Sequence, residues 1–239
     1  MRARARVITL AITASALALS LPAAAVDALP ALIAALRDPK PETRAEARAA
    51  LVKAGPEAVP ALVAEMKNGR QQRIMLAVLE RMGPASVSKL IEMLSDQDLR
   101  VQAAAALAHV SGPKAAAHVP ALLTCLRSPE VANLCGTALI KAAPKAGGHL
   151  PAFLAALKDA RPDIRAFAAA AIGQIESRPK AAVEPLIAVL KDPEAAVRMG
   201  AVAALGRMGK RAQAAVPILK ALELDPRSAG VIPSTKGSL

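Results

Sequence analysis

Apolar residues recur along this chain in a fixed pattern. Six segments align on seven places: PALIAAL (30–36), PALVAEM (60–66), SKLIEML (88–94), PALLTCL (120–126), PAFLAAL (151–157) and EPLIAVL (184–190). The third, fourth and seventh places are apolar in every copy. The residue before each segment is Leu29, Val59, Val87, Val119, Leu150 or Val183. Apolar positions at i, i+3, i+4 and i+7 make one stripe of an amphipathic helix. Proline opens most copies in the first helical turn, where its missing N–H does no harm.

Two residues past each segment stands a turn residue: Asp38, Asn68, Asp96, Ser128, Asp159 or Asp192. These side chains suit either the cap of a following helix or a closed turn. A second helix is predicted next, as in TRAEARAALVKAG (43–55) and VRMGAVAALGRMG (197–209), anchored by Leu51, Leu79, Leu107, Leu139, Ile172 and Leu205. Gly55-Pro56, Gly83-Pro84 and Gly112-Pro113 are stop signals for it. The period runs from 28 to 33 residues. One such helix pair cannot bury both apolar faces alone, so the copies must stack. The predicted fold class is all-α: an α-solenoid of about six helix pairs. PILKALEL (217–224) reads as a lone first helix that caps the stack.

Composition sharpens the picture. Hydrophobic residues make up 54% of the chain, yet there is no Trp, no Tyr and only Phe153 and Phe167. Without aromatic volume, the core must be built from Leu, Ile, Val, Met and much Ala, the best helix former. Many thin layers follow rather than one thick core. The ends differ from this middle. MRARAR is a basic n-region, residues 7–21 an apolar run, and AAA (23–25) fits an A-x-A cleavage site. The apolar run has 15 residues, short of the roughly 20 that span a bilayer. Residues 1–25 are therefore read as a signal peptide, with Val26 as mature N-terminus, 26–224 as the solenoid, and 225–239 as a Pro/Gly/Ser-rich disordered tail. The expected location is the exterior, periplasmic or secreted, with no stable membrane insertion after cleavage. Loss of Arg2, Arg4 and Arg6 lowers the net charge from +12 to +9. That surplus permits attraction to nucleic acid, anionic lipid or acidic glycans without choosing among them.

The helix–turn–helix period, the "LKDP…VR…AALGRMG" pattern and the Asp–Arg spacing resemble HEAT repeats, of the short HEAT-like type related to phycobilin lyase repeats. The resemblance covers about residues 27–224. It implies a ladder between neighbouring repeats built from Asp38 with Arg44, Asp96 with Arg100, Asp159 with Arg165 and Asp192 with Arg198. The ladder lapses in copy two, where Gln72 takes the Arg place, and in copy four, where Ala132 does. Some HEAT-like hydroxylases hold two irons through His-Glu dipeptides. Here His109, His118 and His149 are followed by Val110, Val119 and Leu150. Phycobilin lyases act inside the cell with a partner chain, against which the export signal and the lack of Tyr and Trp both speak.

No zinc, phosphate-loop or nucleophile-elbow motif is present. The reading is therefore of a non-enzyme with no cofactor, no metal and no catalytic residues. The expected binding residues form a column two places past the second-helix anchors: Lys53, Arg81, His109, Lys141, Gln174 and Arg207. Four residues earlier runs a column of small side chains: Ala49, Ala77, Ala105, Thr137, Ala170 and Ala203. Both lie opposite the anchors. One reading is a basic groove with a close-approach floor. The other is that cations favour the last turn because of the helix dipole. The expected function is a scaffold that binds a protein or peptide on its concave face, the alternative an acidic polymer such as a polyanionic glycan or extracellular nucleic acid. Cys125 and Cys135 either bridge the two helices of copy four or serve as small apolar fillers.

Overall fold

The computed structural model describes residues 24–67 and 72–223. The expected signal peptide lies outside the described residues except for Ala24 and Ala25, and the tail 225–239 lies outside them altogether. Among the described residues there are helices and no strands. The first helices of the six pairs are α1 (Ala24–Ala35), α3 (Val59–Met66), α5 (Pro84–Glu92), α7 (Val119–Cys125), α9 (Leu150–Ala156) and α11 (Val183–Ala188). The second helices are α2 (Pro41–Ala54), α4 (Gln72–Met82), α6 (Arg100–Val110), α8 (Ala132–Ala142), α10 (Pro162–Gln174) and α12 (Ala195–Met208). A final helix, α13 (Val216–Glu223), closes the stack. The predicted all-α solenoid of six HEAT-like pairs is the observed architecture. One boundary differs: α1 starts upstream of the expected first turn and carries Pro30 inside it.

The anchors explain the stacking. Leu51, Leu79, Leu107, Leu139 and Ile172 are fully buried, and Leu205 nearly so. From the first helices come Leu62, Leu90, Leu122, Phe153 and Leu186, all fully buried. One continuous apolar cluster runs from Leu29 to Leu219. Each second helix packs on the next, α2 on α4 and so on to α12. Between them the filler is alanine, including Ala103, Ala106, Ala138, Ala169 and Ala204. Glycine brings the last layers closer still. A methyl group on Gly173 would sit 2.8 Å from the Cα of Ala204, and one on Gly136 would enter the Phe167 ring. The pattern was less regular in copy three, where Met93 takes the buried place and Leu94 is half-buried.

The turns close differently from a simple cap. The Asp side chains cap no helix. Instead Asp38, Asp96, Asp159 and Asp192 each accept the backbone N–H two residues on, at 2.8–3.0 Å. This is an Asx turn. In copies one, three, five and six the Arg early in the second helix then reaches back to carbonyls at or just past the end of the first helix. Arg44 donates to the carbonyls of Asp38 and Pro39, Arg100 to Leu94, Arg165 to Asp159 and Ala160, and Arg198 to Asp192 and Pro193. The guanidinium ties the start of the second helix to the turn that precedes it. The Asp–Arg pairs implied by the resemblance thus act within a repeat, through backbone oxygens, and not as rungs between repeats.

A true rung needs Arg in one copy and Asp in the next. Only copies five and six supply both. There Arg165 holds the Asp192 carboxylate with two parallel bonds of 2.8 and 2.9 Å. Both side chains are largely buried, at 14% and 8% exposure. The Arg165 bond holds the Asp192 carboxyl below its ordinary range. Between copies four and five the missing Arg is replaced by Arg127, whose Nη2 lies 2.8 Å from Asp159. Copy four lacks Asp and Arg alike, carrying Ser128 and Ala132. Its α7 and α8 are joined instead by a disulfide, Cys125–Cys135, with Cα atoms 5.9 Å apart.

Candidate functional site

The six column residues all stand in the last turn of a second helix, from Lys53 on α2 to Arg207 on α12. All are exposed except Gln174, which is half-buried. The small-residue column from Ala49 to Ala203 is also open to solvent, its members exposed or half-buried. One more step of four residues toward the helix starts gives a third row: Ala45, Arg73, Val101, Asn133, Ala166 and Met199. Val101 and Met199 are the exposed large hydrophobics among the described residues, at 37% and 47%. This row is not among the columns expected from sequence, although the same four-residue step reaches it. The face therefore has the apolar points Val101 and Met199, with Arg73 among them, on one border, a floor of small side chains, and a run of cations on the other border. Helices α6, α8 and α12 contain no Asp or Glu.

Several column residues also bond across repeats. Lys141 donates to the Ala108 carbonyl at 2.6 Å and the His109 carbonyl at 3.2 Å, the exposed end of α6. It caps its neighbour's helix, where the dipole attracts a cation. Nε2 of His109 lies 3.8 Å from the Glu80 carboxylate. Arg207 donates to the Gln174 side-chain oxygen at 3.0 Å. Helix-end chemistry is thus real at Lys141, but it runs between layers rather than within one helix. Among the described residues, Lys53 and Arg81 make no hydrogen bond or ion pair. The other histidines stand elsewhere: His118 lies 3.2 Å from Ser88 Oγ, before α7, and His149 precedes α9.

At the far end of the column a cleft of about 380 Å³ opens between the last two repeats. Gly173, Gln174, Glu176, Arg178, Arg207 and Arg211 line it. Two column members, Gln174 and Arg207, therefore form its wall. No helix among the described residues is long and apolar enough to cross a membrane.

Residues 150–232 match the family model for HEAT repeats. The match spans copies five and six, where the Arg–Asp rung is complete. The helix pair of those copies continues through the preceding four. No curated protein matches the chain. Among solved structures it is similar to two engineered proteins from the Northeast Structural Genomics Consortium. The first shows 20% identity and a TM-score of 0.48, covering 83% of this chain and 90% of that one. The second shows 22% identity and a TM-score of 0.49, covering 87% and 68%. It is also similar to a chain from a structure on microtubule plus end tracking by XMAP215, CLIP-170 and EB1. That match has 19% identity and a TM-score of 0.46, covering 84% of this chain and 86% of that one.

Proposed function

We propose that the protein is an exported, non-catalytic HEAT-repeat scaffold whose second helices line a concave face that binds a protein or peptide. One observation carries this reading: an open floor of small side chains, bordered by Lys53, Arg81, His109, Lys141, Gln174 and Arg207, with Val101 and Met199 exposed opposite. Small residues let a partner's backbone approach closely, and apolar points beside cations suit an amphipathic segment. The disulfide in copy four supports export, because such bridges persist in oxidising compartments. Affinity capture from the exterior fraction, with wild type and the Lys53→Glu/Arg81→Glu variant as baits, tests the reading. The partner is expected to be retained by wild type and lost by the variant.

The acid-free helices α6, α8 and α12 favour a second reading, an acidic polymer in the groove. Salt separates the two. Polyanion binding falls steeply with salt through counterion release, whereas a groove with apolar contacts responds less. N-terminal sequencing of exported protein is expected to begin at or near Val26. Intact Met1 in a membrane fraction would contradict the signal-peptide reading.

A further inference from the structure

The cleft at the end of the column gathers three guanidinium groups that pair with no carboxylate among the described residues. Arg207 spends its one bond on the neutral Gln174 side chain. Arg211 donates to the backbone carbonyls of Ser177 and Arg178. Arg178 makes no side-chain hydrogen bond or ion pair among the described residues. The one acid in the lining, Glu176, is already bonded to Lys145 from the preceding repeat. An anion entering the cleft therefore meets uncompensated positive charge.

The loop that carries Arg178 is held from both sides. The Glu176 N–H donates to the Pro144 carbonyl of copy four at 3.0 Å. On the other side Arg211, beyond α12, holds the carbonyls of Ser177 and Arg178. Between these ties Arg178 adopts φ 45°, the one positive φ at a non-glycine residue among the described residues. A long side chain in that region costs free energy, and such strain persists where the surroundings impose it. A glycine would relieve it; an arginine keeps a charge at the mouth of the cleft.

Resting on the peptide-binding reading of the same face, we infer that this cleft anchors a carboxylate of the bound peptide, at the end of the groove beyond Arg207. Guanidinium groups bind carboxylates by paired, charge-assisted hydrogen bonds. The cleft volume, about 380 Å³, lies at the small end of ligand sites, which run from about 300 to 1,000 Å³. It takes an acidic residue, not a folded domain. The carboxylate comes either from an Asp or Glu side chain or from the peptide's C-terminus.

Fluorescence anisotropy with two rhodamine-labelled peptides tests this. One carries Glu-Glu at its end and an amidated C-terminus; the other carries Gln-Gln and a free C-terminus. Whichever binds wild type identifies the source of the carboxylate. Arg178→Gly is expected to weaken that peptide by at least about tenfold while the melting temperature holds or rises, because the strained φ is relieved. A residue with only a structural role would lower the melting temperature and leave affinity alone. Unchanged affinity in Arg178→Gly overturns the inference, as does failure of both peptides to bind wild type. Binding of dextran sulfate but of neither peptide overturns it as well. If Lys53→Glu/Arg81→Glu weakens the peptide and Arg178→Gly does not, the anchor is refuted and the groove reading stands.

Discussion

Gly173 and Gly206 sit in neighbouring second helices, and the same substitution is expected to have opposite effects at each. A Cβ at Gly173 meets the Ala204 backbone at 2.8 Å, so the helices must separate. Overpacking of that kind costs about 1–3 kcal/mol, which exceeds the roughly 1 kcal/mol that alanine gains over glycine in a helix. Gly173→Ala should lower the melting temperature. Gly206 has nothing within 4 Å of the added methyl, so Gly206→Ala should stabilise by about 0.5–1 kcal/mol. Thermal denaturation of both variants checks the pair, and a stabilised Gly173→Ala would mean the last two layers are looser than described. The Arg165–Asp192 rung adds a pH dependence. The Asp192 carboxyl is held below its ordinary range by Arg165. Its contribution is full above the unfolded carboxylate range, near about 3.9, and is lost as pH falls through the lower folded value. Asp192→Asn should therefore reduce stability near neutral pH and flatten the acid limb of the stability profile. These residues show what a linear reading cannot weigh. The Asp–Arg spacing is visible in sequence, but whether Arg165 turns to its own carbonyls or to the next repeat depends on what the next copy supplies. Here it does both.

The periodicity of apolar residues specifies the helices almost completely, because burial of Leu51, Leu122 or Leu190 leaves each helix only one face to present. Helix ends were less legible. They are set by Asx turns and by turn carbonyls accepting from an Arg five or six residues on; the Asp–Arg spacing recurs in sequence, but which backbone groups it joins does not show there. The turn of copy four is the clearest case. Ser128 and Ala132 give neither the Asx turn acid nor the clamp, and the Cys125–Cys135 bridge joins α7 to α8 across the same turn. Closing a loop with a sequence separation of 10 contributes about 2–3 kcal/mol in the chain-entropy account. Reduction should destabilise the protein by about that amount. Hydrogen exchange should show α7 and α8 losing protection first, since each repeat is supported only by its neighbours. Uniform loss of protection on reduction, or none, would contradict the assignment of the bridge as the clamp of copy four.

At the scale of the whole molecule, stacking turns a repeated position into a continuous surface. The columns were legible as columns because identical spacing in each copy places residues side by side. Their partners were not, because Lys141 reaches carbonyls 32 and 33 residues away and Arg207 a side chain 33 residues away. This division decides which variants can test the face. Reversing Lys141 would place a carboxylate against the end of α6 and disturb the stack itself. Lys53 and Arg81 carry no such duty among the described residues. The central claim is that the cationic border of the second helices recognises the partner. It is tested most directly by comparing wild type with Lys53→Glu/Arg81→Glu for binding to the captured partner at two salt concentrations, with circular dichroism on both proteins. The account predicts an unchanged helical spectrum and melting temperature, with affinity reduced at least about tenfold at low salt and the difference narrowing as salt rises. Equal affinity of the two proteins at low salt would contradict it.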